Sequence, residues 1–183
     1  MQSVSEKELQ EKIATFLSKY FNVELEVWSS DHTSRIDIVL VHKSDILKEY
    51  PIGIEVKQDN KKTGSLLGQW LHQANRYTEK TFNGYGRLMI LTYPQISGKC
   101  LAEGMLMHPH NVFESGELAC QHNVNTFLGQ FQIGELQRYR HNDKEYLRIV
   151  FNSRLVWDHR KDDFRKHNYL FGCQQLQSLK VQR

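Results

Sequence analysis

Two acidic residues and one lysine interrupt runs of apolar residues that are typical of buried strands. Asp37 lies within RIDIVLVH, and Glu55 and Lys57 lie within IGIEVK. Aspartate is depleted in strands, and a buried carboxylate without a partner is costly, so such groups persist when they are paired or bind a metal. If the two strands are neighbours, Asp37 lies beside Glu55. Two carboxylates and a backbone carbonyl then form a hard oxygen site suited to Mg²⁺.

Lys57 adds a cation to this pattern. Residues two apart in a strand point to the same face, so Lys57 shares a face with Glu55. A lysine beside a metal site can stabilise a phosphate anion or orient an attacking water. An ordinary structural explanation stays open, in which Glu55 and Lys57 form the polar side of an edge strand and Asp37 pairs with Arg35.

The periodicity of apolar residues predicts the elements that must position these side chains. In chain order we expect a helix over 4–20, strands over 23–28, 35–42 and 51–57, a helix over 65–80 and a strand over 87–93. This order, αβββαβ, predicts an α/β fold in which helices flank a mixed central sheet. A capping box can start the first helix, formed by Ser3 with Glu6 or by Ser5 with Glu8.

The sequence of the second half predicts an extension over residues 96–183. We expect this extension to pack on the same domain as the core over 1–95. It begins with a loop-rich segment and continues as a β-hairpin, with strands over 130–139 and 145–151. A charged, aromatic tail follows over 158–183. Basic and aromatic residues in alternation suit nucleic acid, but we favour an amphipathic cover over the sheet.

The spacing of the acidic residues resembles that of the PD-(D/E)XK nuclease superfamily. Asp37 is followed, after seventeen intervening residues, by the triplet Glu55-Val56-Lys57. Ile36 stands where the family often has proline, a departure that leaves the metal-binding residues intact. The predicted order of elements is also that of the family's restriction-endonuclease-like core.

A second motif resembles the RecB-like branch of this superfamily. Some members carry Gln-x-x-x-Tyr on the helix after the lysine strand, and here Gln73 and Tyr77 occupy that position. Residues four apart lie on one side of a helix, so both side chains can reach the same neighbour. The resemblance covers about residues 3–93, half of the chain.

The resemblance implies a metal-dependent nuclease that hydrolyses DNA phosphodiester bonds. Mg²⁺, or Mn²⁺ as a substitute, would be held by Asp37, Glu55 and the Val56 carbonyl. Lys57 would position the nucleophile or stabilise the charge of the transition state. RNA stays open as a substrate, and so does a homodimer, which is usual for enzymes that cut both strands.

Three further residues complete the catalytic and metal-binding hypothesis. Gln73 and Tyr77 would orient the lysine or its strand. Many members of the family also use a glutamate of the first helix, and Glu6 lies closest to the apolar face of this helix. Glu6 can therefore contact the metal through water, although a capping role with Ser3 explains it equally well.

Three basic residues are candidates for phosphate contacts beside the metal. Lys61 and Lys62 lie in the loop after the lysine strand, and Arg76 lies on the next helix. Phosphate contacts from Lys and Arg supply much of the affinity for nucleic acid. For either lysine alone, a solvated loop is the simpler explanation.

Two other functions stay open beside the nuclease. One is a catalytically inactive nuclease-like domain that acts as a nucleic-acid or protein binding module. The other is a sequence-specific restriction or repair endonuclease in which the tail contacts DNA. Intact Asp37, Glu55 and Lys57 favour catalysis over the binding module.

The middle of the chain contains thiols and imidazoles that could bind Zn²⁺. They are Cys100, His108, His110, Cys120 and His122. Their spacing matches no zinc finger or ribbon, so we do not expect structural zinc. The chain has three cysteines, so the four-cysteine iron–sulfur cluster of some RecB-like relatives is not available.

Composition limits the class of protein. The 183 residues include 24 basic and 21 acidic residues, with a net charge of +3, which excludes a polybasic nucleic-acid coat but not a local basic groove. No apolar run approaches the roughly 20 residues that span a bilayer, and the N-terminus resembles no signal peptide. The cysteine count favours a reducing, cytoplasmic compartment.

Overall fold

A computed structural model describes residues 5–57, 64–96, 125–142 and 144–172. Within these ranges the fold is α/β, with one mixed eight-stranded sheet. The elements are α1 (Glu6–Leu17), β1 (Phe21–Trp28), β2 (Arg35–His42), a 3-10 turn (Asp45–Leu47), β3 (Ile52–Val56), α2 (Gly64–Thr78), β4 (Met89–Tyr93), α3 (125–130), β5 (Ile133–His141), β6 (Lys144–Phe151), β7 (Arg154–Asp158), β8 (Asp163–Phe164) and α4 (Lys166–Gly172).

The strands lie side by side in the order of the sequence. β1, β2 and β3 are antiparallel neighbours, β3, β4 and β5 run parallel, and β5 to β8 are antiparallel again. The predicted α/β class and mixed sheet are therefore confirmed. The predicted hairpin is present as β5 and β6, and it continues the sheet of the first half because β5 pairs with β4.

The first helix begins with a capping box between Ser5 and Glu8. The Ser5 N–H donates to Glu8 at 2.8 Å, and the Glu8 N–H donates to the Ser5 hydroxyl at 3.2 Å. These bonds satisfy two N–H groups that the helix leaves without partners. Glu6 is thereby left available for contacts elsewhere. The helix ends at Leu17 and not at residue 20, because Ser18 caps it and Lys19–Tyr20 form a turn.

Each face of the sheet carries its own hydrophobic core. On one face, Ile13 and Leu17 of α1 pack with strand residues that include Ile54 and Leu91. On the other face, three residues of α2 that the periodicity predicts to be apolar pack against the sheet, namely Trp70, Ala74 and Tyr77. Burial of two amphipathic helices on opposite faces is the ordinary way in which an α/β sheet is stabilised.

Part of the C-terminal tail packs over the sheet. Tyr169 of α4 is buried and donates from its hydroxyl to the Pro51 carbonyl at 3.0 Å, and Phe164 packs against the same core. The described part of the tail therefore packs over the sheet, as expected for an amphipathic cover. The five Cys and His residues of the zinc hypothesis lie outside the described residues. No helix among the described residues is long and apolar enough to cross a membrane.

Candidate active site

β2 and β3 stop pairing just before the two acidic positions. Their ladder runs from Leu40–Ile52 to Ile38–Ile54 and ends there. Beyond it, the Val56 N–H donates to Asp37 Oδ2 at 2.6 Å. A side-chain carboxylate thus takes the place of a backbone acceptor and keeps the Val56 donor satisfied. Asp37 is consequently held at the gap between the strands, next to Glu55.

Glu55 is almost completely enclosed, with 1% of its surface exposed. Its Oε1 lies 2.5 Å from Lys57 Nζ, whereas its Oε2 is buried and has no hydrogen-bond partner among the residues that the structure describes. Burial and the nearby Asp37 carboxylate raise the pKa of Glu55 to about 8, against the opposing effect of Lys57. Ionisation of a carboxyl group buried in this way costs free energy unless a cation contacts the carboxylate.

Asp37 shares this environment to a lesser extent. Burial raises its pKa to about 6, although the Val56 N–H and the Lys57 ammonium oppose that shift. Both acidic groups therefore ionise at higher pH than ordinary carboxylates. Perturbed pKa values of this kind concentrate at functional sites, although structural ion pairs also produce them.

Lys57 connects the sheet to the first helix. Besides Glu55, its ammonium lies 3.6 Å from Glu6 Oε1. Burial alone lowers the pKa of Lys57, but the carboxylates of Glu55, Glu6 and Asp37 outweigh burial and raise it. Lys57 is therefore a protonated cation among three acids, and we call Glu6, Asp37 and Glu55 the acidic cluster. The structure brings Glu6 to the site, while Glu8 completes the capping box.

The proposed alternative pairing of Asp37 with Arg35 is wrong. Arg35 Nε lies 2.6 Å from Glu26 Oε2. Glu26 stands opposite Asp37 in the β1–β2 pairing, between the Val27–Ile36 and Leu25–Ile38 pairs, and it has a φ of 59°. Residues other than glycine rarely adopt this conformation, which costs on the order of 1–3 kcal/mol. Sequence analysis did not detect this strained position.

Gln73 and Tyr77 form a hydrogen-bonded chain from α2 to β2. Gln73 Nε2 donates to the Tyr77 hydroxyl at 2.7 Å, and this hydroxyl donates to the Arg35 carbonyl at 2.9 Å. Burial, followed by the Glu55 carboxylate, raises the pKa of Tyr77 to about 12, so the phenol stays a donor. This series of hydrogen bonds therefore fixes β2 at Arg35, two residues before Asp37. The hydrogen-bond partner of Gln73 is Tyr77 rather than Lys57.

The structure does not place all of the candidate phosphate contacts. Lys61 and Lys62 lie outside the described residues, and Arg76 is exposed in the last turn of α2. Among the described residues, no three Cys, His, Asp or Glu side chains form a ready metal cluster. The candidate donors are instead two carboxylates and the Val56 carbonyl. The Oε2 of Glu55, for which the described ranges offer no hydrogen-bond partner, fits a hard cation such as Mg²⁺.

A row of polar residues extends the site across the parallel strands. Glu55 is in register with Thr92 on β4, and Thr92 is in register with Glu135 on β5. All three are buried, and Glu135 accepts hydrogen bonds from Asn125 at 3.0 Å and from Gln137 at 2.8 Å. Sequence analysis missed Glu135, although an acid within the strand run IGELQ is the same signal that identified Asp37.

No protein-family model matches the chain, and no curated protein or solved structure is significantly similar to it.

Proposed function

We propose that the protein is a metal-dependent nuclease with a restriction-endonuclease-like core that hydrolyses DNA phosphodiester bonds. The observation that carries this proposal is the state of Glu55. Its side chain is buried, one oxygen contacts Lys57, and the other has no partner in the described part of the chain. A buried carboxylate oxygen without a partner is costly, and a divalent cation would remove that cost.

The donor set favours Mg²⁺ or Mn²⁺. Asp37, Glu55 and the Val56 carbonyl offer only hard oxygen atoms. A bound ion would lower the pKa of the attacking water and neutralise charge on the phosphate. Glu6 lies near enough to Lys57, at 3.6 Å, to complete the polar boundary of this site.

The chain's own residues supply orientation and charge. Lys57, held by Glu55 and Glu6, would present a fixed ammonium to the phosphate and stabilise the charge that develops during hydrolysis. Gln73 and Tyr77 are positioning residues, because they tie α2 to the strand that contains Asp37. Lys61, Lys62 and Arg76 are proposed contacts to the nucleic-acid backbone.

A cleavage assay with a panel of substrates tests this function. The purified protein is incubated with single-stranded, duplex and branched DNA and with RNA, in Mg²⁺, in Mn²⁺ or in EDTA. Cleavage of DNA in either metal and none in EDTA is expected. Cleavage of RNA but not of DNA would show that the substrate is RNA. Cleavage in EDTA would contradict the proposed dependence on a metal ion.

One observation favours a second candidate, a catalytically inactive binding module. Lys57 already provides a positive partner for both Glu55 and Glu6, so the cluster can also act as a structural ion pair. Weak binding of Mn²⁺ that is lost in Asp37→Ala distinguishes catalysis from this alternative. A cytoplasmic location remains part of the proposal and rests on the sequence alone, and a homodimer stays open.

A further inference from the structure

A second concave site lies away from the acidic cluster. It is a cavity of about 520 Å³ where the end of α2, the approach to β4 and the turn before β5 meet. This volume is in the range of small-molecule sites. The residues that matter for its chemistry are Asn75, Glu79, Arg87, Gln130, Phe131 and Gln132.

The turn between α3 and β5 holds the aromatic wall of this cavity. The Phe131 N–H donates to the Leu128 carbonyl at 2.9 Å, and the Gln132 N–H donates to the Gly129 carbonyl at 3.0 Å. A Cβ on Gly129 would lie 2.7 Å from the Cβ of Asn152, so the turn is packed closely against the β6–β7 connection. The backbone of Phe131 is thereby fixed before any ligand binds.

Phe131 remains accessible despite this fixed backbone. Phe131 is 44% exposed, and Phe127 is 53% exposed. The two rings contact each other edge-on, with centroids 5.1 Å apart. Large aromatic side chains are usually buried, so an exposed pair beside a polar cavity indicates a surface for ligand contact.

The polar lining determines which ligand fits. The amides of Asn75, Gln130 and Gln132 each have a donor and an acceptor, which match the edges of nucleobases. Arg87 supplies a cation for a phosphate, and the Glu79 carboxylate accepts from exocyclic amino groups. An exposed aromatic ring provides a stacking surface that tolerates every base.

We propose that this cavity binds an unpaired base of single-stranded nucleic acid, stacked on Phe131, with a neighbouring phosphate on Arg87. A base inside a duplex is covered on both faces by its neighbours, so only an unstacked base can reach the ring. The inference that the bound base belongs to a strand cleaved at the acidic cluster rests on the proposed function. As a binding site, it is measurable without cleavage.

The two sites lie toward opposite ends of β4. Arg87 precedes β4, whereas Thr92, the neighbour of Glu55, lies near its end. At a strand rise of about 3.3 Å per residue, Arg87 and Thr92 are roughly 17 Å apart. The base would therefore be bound at a distance from the reacting phosphate, where it sets the strand's position without taking part in the chemistry.

Fluorescence anisotropy of metal-free protein tests the proposal. In EDTA, the protein is titrated with a labelled oligodeoxyadenylate, with a strand of equal length that carries abasic sites, and with the matching duplex. The base-containing single strand should bind roughly 5- to 150-fold more tightly than the abasic strand, the ordinary range for base–aromatic stacking. Equal affinity for the base-containing and abasic strands, or tighter binding of the duplex, would overturn the proposal.

Matched variants assign the binding to this cavity. Phe131→Leu keeps an apolar side chain but loses the ring, so the preference for the base-containing strand should disappear. Phe131→Tyr keeps a stacking face and should retain it. Arg87→Gln should weaken binding of both strands alike and reduce its salt dependence. If the Leu and Tyr variants behave identically, stacking on Phe131 is refuted.

These results are independent of the nuclease assay. Base-dependent binding without cleavage in any metal would refute the proposed function and leave the base site standing. Cleavage by a protein that binds abasic and base-containing strands equally would refute the base site alone.

Discussion

The Asp37 carboxylate accepts a hydrogen bond from the Val56 N–H at 2.6 Å, at the point where β2 and β3 no longer pair. This contact closes the end of the ladder with a side chain and places a carboxylate beside Glu55. One residue therefore satisfies a backbone donor and contributes a charge to the acidic cluster.

Two substitutions at Asp37 separate these roles. Asp37→Asn keeps an oxygen that can accept from the Val56 N–H, whereas Asp37→Ala leaves that donor without its partner, at a cost of about 1–3 kcal/mol. In EDTA, urea denaturation should show the alanine variant to be less stable than the asparagine variant. Both variants should lose Mn²⁺ binding. Equal stability of the two would show that the Asp37–Val56 contact contributes little.

Glu55→Gln should preserve the fold while changing how metal-free stability depends on pH. The pKa of Glu55 is raised to about 8 from an ordinary value of 4.5, so the folded state binds the proton more tightly than the unfolded state. This contribution is fully present below about pH 4.5 and is lost as the pH rises through about 8. The elevated pKa of Asp37, about 6, acts in the same direction.

Melting temperatures measured in EDTA across this pH range test that prediction. The wild type should lose stability between about pH 4.5 and 8, and the decline should be smaller in Glu55→Gln. Near neutral pH the variant should be at least as stable as the wild type. A variant that is less stable at every pH would instead indicate that the ion pair between Glu55 and Lys57 stabilises the fold.

Metal affinity should also depend on pH. A carboxylate must be ionised to bind a cation, so binding displaces the proton of Glu55. Below about pH 8 the apparent affinity for Mn²⁺ should rise with pH, by up to about tenfold per unit for one proton released. Titration calorimetry in buffers of different ionisation enthalpy measures the proton release. An affinity that is constant from acidic to alkaline pH would contradict metal binding at Glu55.

Gln73→Ala should reduce cleavage more than it reduces stability. The variant removes the hydrogen bond from Gln73 to the Tyr77 hydroxyl, and this hydroxyl holds the strand that contains Asp37. Groups that bond directly to metal ligands typically contribute 10–100-fold to activity or metal affinity. Gln73 acts one contact further away, so we expect a loss near the lower end of that range, about tenfold. Gln69→Ala is the matched control, because Gln69 is an exposed glutamine of the same helix. Equal Mn²⁺ affinity and equal cleavage in the two variants would show that Gln73 does not contribute to the site.

The sequence predicted those parts of the site that depend on local spacing. Alternation along β3 placed Glu55 and Lys57 together, and the four-residue spacing of Gln73 and Tyr77 placed them on one helix side. Neither pattern indicates which neighbouring group each side chain contacts. The bond of Tyr77 to the Arg35 carbonyl depends on how α2 packs against the sheet.

Contacts that depend on distant segments could not be predicted. Glu135 joins the row of Glu55 and Thr92 only because β5 pairs in parallel with β4, across a separation of about 40 residues in the chain. The left-handed conformation of Glu26 and its bond to Arg35 likewise arise from strand pairing. Local periodicity contains no information about either.

Cleavage of DNA by the wild type and by Glu55→Gln in the presence of Mg²⁺ measures whether hydrolysis depends on the Glu55 carboxylate. Glu11→Gln, at an exposed glutamate of α1, is the control for an equal change of charge. The proposed role of Glu55 predicts that the wild type and the control cleave DNA and that Glu55→Gln, folded to the same extent, does not. Cleavage by Glu55→Gln at the rate of the wild type would contradict it.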